Sequence, residues 1–276
     1  MVPIPVMING LPGRVATTIA GHILAEQRLE LIPWSLTGPE ITASTTTLAG
    51  QTIKLIKPGE RDTMIPELVQ RYASLISVDY THPSAVNENS RFYCRHDMPF
   101  VMGTTGGSRD RLIPMVEASR ISAVIAPNMA KQIVGFQAMM AYAAENFPDM
   151  FKGYSLTIVE SHQNGKADTS GTAKAMVKYF QALGVDFAEQ DIIKIRDPRV
   201  QENEYGVPGE YLTGHGWHTY TLLSPDRTVK FEFTHNVNGR DIYAGGTIDA
   251  VLFLDRRLRE GIRGRVFSMI DVLKGD

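Results

Sequence analysis

Val6-Met7-Ile8-Asn9-Gly10-Leu11-Pro12-Gly13-Arg14-Val15-Ala16 is the stretch that decides how the first half of this 276-residue chain is read. The apolar residues 6–8 predict a short strand, the glycines and proline a tight turn, and Val15, Ile19 and Ile23, four apart, one face of a helix. Glycine at such a junction admits positive φ and close backbone approach, while the helix start offers N–H groups and a positive dipole end to a pyrophosphate. The pattern departs from the usual dinucleotide fingerprint twice. Pro12 stands at the middle-glycine position and removes a donor, and Ala16 replaces the last glycine. Taken alone, these residues fit a plain tight turn as well as a phosphate cradle.

Working outward, β-rich runs at 30–36, 52–56, 75–79, 100–102 and 121–125 alternate with helix-like segments at 65–73, 85–96 and 109–119. Such alternation predicts a parallel sheet, because parallel neighbours need a crossover. A dinucleotide site would want an acid at the end of the second strand to bind the ribose hydroxyls. Here Trp34-Ser35-Leu36-Thr37-Gly38 carries none before Glu40, which favours NADPH over NADH, with Ser35 and Thr37 as hydroxyl donors and no arginine at hand. An ordinary polar strand end is the other reading. Gly103-Thr104-Thr105-Gly106 and Ala126-Pro127-Asn128-Met129 follow strands in the same way, where open α/β sheets bind ligands, or are simply loops.

After residue 128 the grammar changes. A periodic helix at 132–146, a strand at 156–161 and a helix at 171–183 precede a polar segment with Pro198 and Pro208. Residues 219–223 and 229–235 then alternate as half-buried strands around Ser224-Pro225-Asp226-Arg227, and 248–258 and 266–273 read as helices that return to the first domain. The fold class predicted is α/β: a Rossmann-like parallel sheet domain (1–129 and 247–276) plus a smaller α+β substrate domain (130–246) with an open, mostly antiparallel sheet. Hinges are placed near 128–131 and 245–247, around a cleft that closes on its ligands.

Bulk properties exclude several classes. With 43% hydrophobic and 21% charged residues the chain can bury a core, and a net charge of −2 without a basic stripe argues against nucleic acid. Cys94 is alone, so no internal disulfide forms, and no Cys or His cluster has zinc spacing, so no metal is predicted. No apolar run reaches the ~18–20 residues of a membrane span. The chain reads as a soluble protein of a reducing compartment, cytoplasmic or, alternatively, in a plastid stroma.

The chemistry concentrates in Glu160-Ser161-His162-Gln163-Asn164-Gly165-Lys166-Ala167-Asp168-Thr169-Ser170-Gly171-Thr172-Ala173. A histidine and a lysine four residues apart leave a strand, and Ser170-Gly171-Thr172 opens a helix whose hydroxyls and N–H groups suit a carboxylate. Lys166 and His162 would serve as cation and proton donor beside that anion. Singly, a loop histidine is more often a surface residue and a loop lysine a solvated one; the cluster carries more weight than either.

With Asn9-Gly10…Gly13-Arg14, Gly103–Gly106, Ala126–Met129 and late Phe233-Thr234-His235…Arg240, this loop resembles the 4-hydroxy-tetrahydrodipicolinate (dihydrodipicolinate) reductases over nearly the whole chain. In the widespread bacterial form a second histidine follows the first and a proline precedes Ser-Gly-Thr. Gln163 and a loop one residue shorter resemble the plant and cyanobacterial branch instead. The resemblance implies that His162 and Lys166 work at the proton-transfer site. It implies that Gln163, Ser170, Gly171, Thr172 and Thr104 contact substrate. Nucleotide contacts would come from Gly10, Leu11, Pro12, Gly13, Arg14 and Val15, from Gly103, Thr104 and Thr105, and from Ala126, Pro127, Asn128 and Met129.

The implied reaction is NAD(P)H-dependent reduction of a small cyclic dicarboxylate in the diaminopimelate route to lysine. The implied assembly is a homo-oligomer, dimer or tetramer, built through the substrate-domain sheet. Two other functions fit parts of the chain. A different two-domain NAD(P)-dependent dehydrogenase would keep the glycine turn without needing the His162–Lys166–Ser170–Thr172 set, and a non-catalytic redox sensor would have no use for an anion pocket.

Overall fold

The computed structural model describes residues 2–275. They form two compact units, one made of residues up to Lys131 together with those from Asp241 onward, the other of Gln132–Arg240.

In the first unit β1 (Ile4–Asn9) is buried along its whole length and runs through the glycine turn into α1 (Arg14–Ala25). Burial on both faces is the environment of a central parallel strand. The run at 30–36, expected as one strand, is two: β2 (Leu29–Leu31) pairs with β1, whereas β3 (Trp34–Leu36) leaves for a small sheet with β4 (Thr45–Leu48) and β5 (Gln51–Ile56). Pro33 marks the break, having no N–H to give a ladder. The β4–β5 hairpin turns on Ala49 and Gly50, both at positive φ, and Thr-rich β4 lacked the apolar alternation that would have announced it.

After α2 (Arg61–Arg71), β6 (Ile76–Asp79), α3 (Val86–Arg95), β7 (Phe100–Met102), α4 (Arg109–Glu117) and β8 (Ala123–Ile125) complete the alternation. The C-terminal segment adds α8 (Ile242–Arg259), β13 (Val266–Phe267) and α9 (Met269–Lys274). The main sheet has the order β13-β8-β7-β6-β1-β2, every pair parallel. Residues 266–273 were expected to be one helix. Val266 and Phe267 instead extend the sheet edge, because Ser268 and Asp271 form a capping box that starts the helix only afterwards. Met7, Leu36, Phe92, Tyr93, Phe100 and Val116 are in the core.

The second unit contains α5 (Lys131–Asn146) beyond its first residue, β9 (Ser155–His162), α6 (Gly171–Ala182), β10 (Ile193–Ile195), α7 (Pro198–Asn203), β11 (His215–Leu223) and β12 (Lys230–Asn238). Its sheet has the order β10-β9-β11-β12, with β10 parallel to β9 and the other pairs antiparallel. Leu156, Ile158, Tyr220 and Leu222 bury one face with Ala173, Met176, Val177 and Phe180 of α6. The period of two carries that face on to Glu160 and His162, polar residues in core register. Among the described residues, no helix is long and apolar enough to cross a membrane.

Candidate functional site

The first unit builds a backbone cradle. Gly10 has φ +103°, and a side chain there would strike the backbone carbonyl of Tyr80; a Cβ on Gly13 would stand 2.7 Å from the Gly10 carbonyl oxygen. The Gly13 N–H donates to that same oxygen at 2.8 Å and closes the turn. Fully buried Asn9 anchors its root, donating to Ser77 Oγ (2.9 Å) and the Tyr93 hydroxyl (3.0 Å) and accepting from the Leu36 N–H (2.9 Å). α1 then starts at Arg14 with no side-chain cap, leaving its first N–H groups suited to an anion.

Ser35 and Thr37, expected to offer hydroxyls to a ribose, turn inward. Ser35 Oγ accepts from the Leu11 N–H (3.3 Å) and Thr37 Oγ1 donates to the Leu11 carbonyl (2.9 Å), and both residues are buried. They brace the turn because an unpartnered buried peptide group would cost about 1–3 kcal/mol. Thr104 is committed in a similar way: its hydroxyl donates to Asp79 Oδ1 (2.6 Å) and accepts from the Thr81 N–H (2.9 Å), while Thr105 is exposed. Gly103 leaves room for the Tyr80 ring, and Asn128 Oδ1 accepts from the Ala130 N–H (2.9 Å), shaping the 126–129 loop. Pro127 is exposed there, and Ala126 and Met129 are buried.

Asp79 escaped notice in the sequence because it ends an apolar run. Buried at the end of β6, its carboxylate also accepts from the Tyr93 hydroxyl (2.7 Å) and Asn89 Nδ2 (3.0 Å). Burial, with Asp79 close by, holds the Tyr93 phenol well above its ordinary pKa.

The second unit builds on charge. Glu160 is 0% exposed, pairs with the Arg196 guanidinium and accepts from the Ser170 N–H at 2.9 Å. Arg196 also donates to the carbonyls of Lys166 (2.8 Å) and Asp168 (3.3 Å), so one ion pair holds the middle and the C-terminal end of the polar loop against β9. Gln201 Nε2 donates to the His162 carbonyl (2.7 Å) and fixes the strand end. Neither Arg196 nor Gln201 carries a sequence signal, since both come from the polar 184–214 stretch, where β10 and α7 are too short to show an apolar period.

His162 stands opposite Gly216 on β11, where a Cβ would come within 3.0 Å of the imidazole. Its Nδ1 lies 3.1 Å from the His215 carbonyl and donates to it, and its Nε2 is buried without a protein partner. Burial pushes the His162 pKa down against a smaller opposing pull from Glu160. The ring is therefore neutral near pH 7, with its Nε2 lone pair free to accept. Lys166 Nζ donates to Asp168 Oδ1 at 2.8 Å, and that bond lowers the Asp168 pKa. Ser170 caps α6, its hydroxyl accepting from the Thr172 N–H (3.2 Å), so that hydroxyl serves the helix more than a ligand. A Cβ on Gly171 would meet nothing within 4 Å, and Gln163 is half-buried.

Behind His162, His218 meets it edge-on (5.1 Å between centroids) and stacks on His235 (4.7 Å). Burial lowers the pKa of both, His235 to about 4. Glu160, His162 and His218 bring ligand-type atoms within 4.8 Å of one another. The carboxylate of that trio is already satisfied by Arg196 and the Ser170 N–H, whose positive field opposes a further cation.

The profile described as "Dihydrodipicolinate reductase, N-terminus" matches residues 4–129, and the one described as "Dihydrodipicolinate reductase, C-terminus" matches 133–273. The chain belongs to the dihydrodipicolinate reductase family. It is 46% identical to "4-hydroxy-tetrahydrodipicolinate reductase 2, chloroplastic" of Arabidopsis thaliana, over 98% of this chain and 77% of that one. It is 44% identical to "Probable 4-hydroxy-tetrahydrodipicolinate reductase 1, chloroplastic" of Oryza sativa subsp. japonica, over 98% and 78%. Among solved structures, "Dipicolinate bound Dihydrodipicolinate reductase from Paenisporosarcina sp. TG-14" superposes with a TM-score of 0.65 at 18% identity, covering 97% of this chain and 98% of that one, which shows a shared fold. Dihydrodipicolinate reductases are NAD(P)H-dependent oxidoreductases. The first unit fits such a nucleotide, since Cβ atoms at Gly10 or Gly13 would fill the cradle and no side chain takes the N–H groups that open α1.

Proposed function

We propose that this chain reduces 4-hydroxy-tetrahydrodipicolinate to tetrahydrodipicolinate with NAD(P)H in the diaminopimelate route to lysine, and that NADPH is the preferred nucleotide. One observation carries the reading. The buried Glu160–Arg196 pair holds the Lys166 backbone and the start of α6 beside His162 as one anion-seeking constellation, which a dicarboxylate needs and a nucleotide sensor does not.

In this reading residues 1–129 and 247–276 hold the nucleotide through Gly10–Val15, Gly103–Thr105 and Ala126–Met129, and 130–246 hold the substrate. Ser35, Thr37 and Thr104 support those loops through the bonds described above. The bound nucleotide supplies hydride to ring carbon C4. Gly171, Thr172 and Gln163 orient the carboxylates. Lys166 donates the proton that accompanies the departing hydroxyl. His162, neutral and with Nε2 unprotonated, accepts one from the adjacent ring carbon and returns it. In this reading the two residues, expected from sequence to be a joint proton supply, take opposite roles, an assignment supported by the His215 carbonyl on His162 Nδ1. Assembly as a homodimer or homotetramer through the second-unit sheet belongs to the same reading. So does a location in the plastid stroma, which the chloroplastic relatives favour over a bacterial cytoplasm.

The test supplies the freshly made product of dihydrodipicolinate synthase and follows loss of reduced-nicotinamide absorbance with NADH and with NADPH. Turnover is expected with both, faster at limiting NADPH. Tight nucleotide binding without turnover, or turnover only on another carbonyl or imine, would overturn the proposal.

A further inference from the structure

The end of β3 carries a cation that the linear sequence does not place there. Arg61, the first residue of α2, sends its guanidinium back across 24 positions, donating from Nη2 to the Thr37 carbonyl (2.8 Å) and from Nη1 to Asn89 Oδ1 (3.0 Å). Thr37 directly follows β3, and its hydroxyl is bonded to Leu11 of the glycine turn, so the guanidinium lies one residue away from the cradle. Asn89 is itself held, its amide donating to Asp79 Oδ2 and Thr81 Oγ1 (both 3.0 Å). The fork is fixed in place before any ligand arrives.

It makes no direct ion pair. Arg61 belongs to none of the ion pairs among the described residues, and its Nε is buried without a hydrogen-bond partner. A guanidinium has five N–H donors, of which two are used here. A half-buried cation with donors to spare, whose nearest carboxylate, Asp79, reaches it only through Asn89, gains from an anion in direct contact. In Rossmann-type domains the adenosine ribose sits beside the chain that leaves the second strand, here the run from β2 into β3, and an arginine near it accommodates a 2′-phosphate. The neighbouring acid is Glu40, whose exposed carboxylate packs against Gly38, where a Cβ would collide with it.

We propose that Arg61 discriminates NADPH from NADH by holding the 2′-phosphate in its fork, and that Glu40 works against it by repelling that phosphate. This deepens the proposed function and rests on its nucleotide assignment. It also replaces the sequence expectation that no arginine stands at the site.

The experiment measures dissociation constants of NADPH and NADH by nucleotide fluorescence, without substrate, for the full chain and for Arg61→Ala, Arg61→Lys and Glu40→Gln. The unaltered chain binds NADPH more tightly. Arg61→Ala weakens NADPH by roughly 10–100-fold and NADH by less than about 3-fold, the worth of charge-assisted bonds to a phosphate. Arg61→Lys, which keeps the charge and loses the fork, falls between. Glu40→Gln tightens NADPH by about 2–5-fold, as expected for a solvent-exposed charge. NADH binding doubles as the folding control. Equal loss of both nucleotides in Arg61→Ala, or an unchanged ratio, would overturn the proposal and leave Arg61 a strut between α2, α3 and β3. Absence of turnover on 4-hydroxy-tetrahydrodipicolinate with the binding ratio intact would instead count against the proposed reaction.

Discussion

The cradle of the first unit and the loop of the second, the two places proposed to receive anions, are built by different means. The cradle uses peptide groups: Gly10 and Gly13 bring backbone close, and Asn9, Ser35 and Thr37 hold that backbone with neutral hydrogen bonds. The loop uses formal charge, with Glu160 buried to hold Arg196 and the two together positioning Lys166. Neutral bracing is worth about 1 kcal/mol per bond, whereas breaking a buried ion pair costs about 3–5 kcal/mol. The second unit should therefore fail abruptly on mutation and the first by degrees.

The sharpest way to break this contrast is Lys166→Ala. Turnover should fall by roughly 10²–10⁴ while nucleotide binding persists. Near-normal steady-state rates in that variant would remove Lys166 from the chemistry and leave the loop a mere binding surface.

Next comes Glu160→Gln, which keeps shape and leaves Arg196 unpaired. Denaturant melts should show a loss of about 3–5 kcal/mol, together with a collapse of turnover. A loss no larger than a neutral hydrogen bond's would erase the distinction between the two units. Gly10→Ala is the corresponding probe of the cradle. The side chain must accept φ +103° against the Tyr80 carbonyl, so a loss of about 1–3 kcal/mol and weakened binding of both nucleotides are expected, measured by thermal melts and titration.

Acid should separate the two units as well. His235 titrates at about 4 in the folded chain against an ordinary 6.5. Between those values the unfolded chain binds a proton that the folded chain does not, so stability present above pH 6.5 is lost as pH falls toward 4. His235→Gln should flatten that part of a stability-versus-pH curve, and an unchanged slope would show that the histidine stack does not set it. The smallest effect is expected from Ser35→Ala, about 0.5–1.5 kcal/mol for the bond to Leu11, seen as a small shift in melting temperature.

The parts legible before folding were those encoded by local rules. The glycine turn, the βαβ alternation, α5, α6 and the loop 160–173 all announced themselves through periodicity or through residue types with few other uses. Lost to view were the split at Pro33, the Thr-rich β4 and the capping box that turned the expected last helix into β13 and α9. Each depends on which strand finds which partner. Of the residues expected at the site, Gln163 and Lys166 lie in one loop and Gly171 opens α6 behind it, but the hydroxyls of Ser35, Thr37, Thr104 and Ser170 are occupied by backbone or by Asp79. A hydroxyl in a sequence is a donor with no direction, and burial decides whether it faces a ligand or its own chain.

By itself, then, the sequence determined the fold class, because strand and helix periods and the spacing of glycines are properties of neighbours in the chain, and its ordered motifs carried the resemblance to the family. Only the tertiary structure decided which groups carry charge at the cradle and the loop. Arg196 reaches Glu160 across 36 positions, His215 sets the tautomer of His162 across 53, and Arg61 comes to Thr37 across 24. Electrostatic interaction depends on distance and burial in space, and no local pattern of residues encodes either.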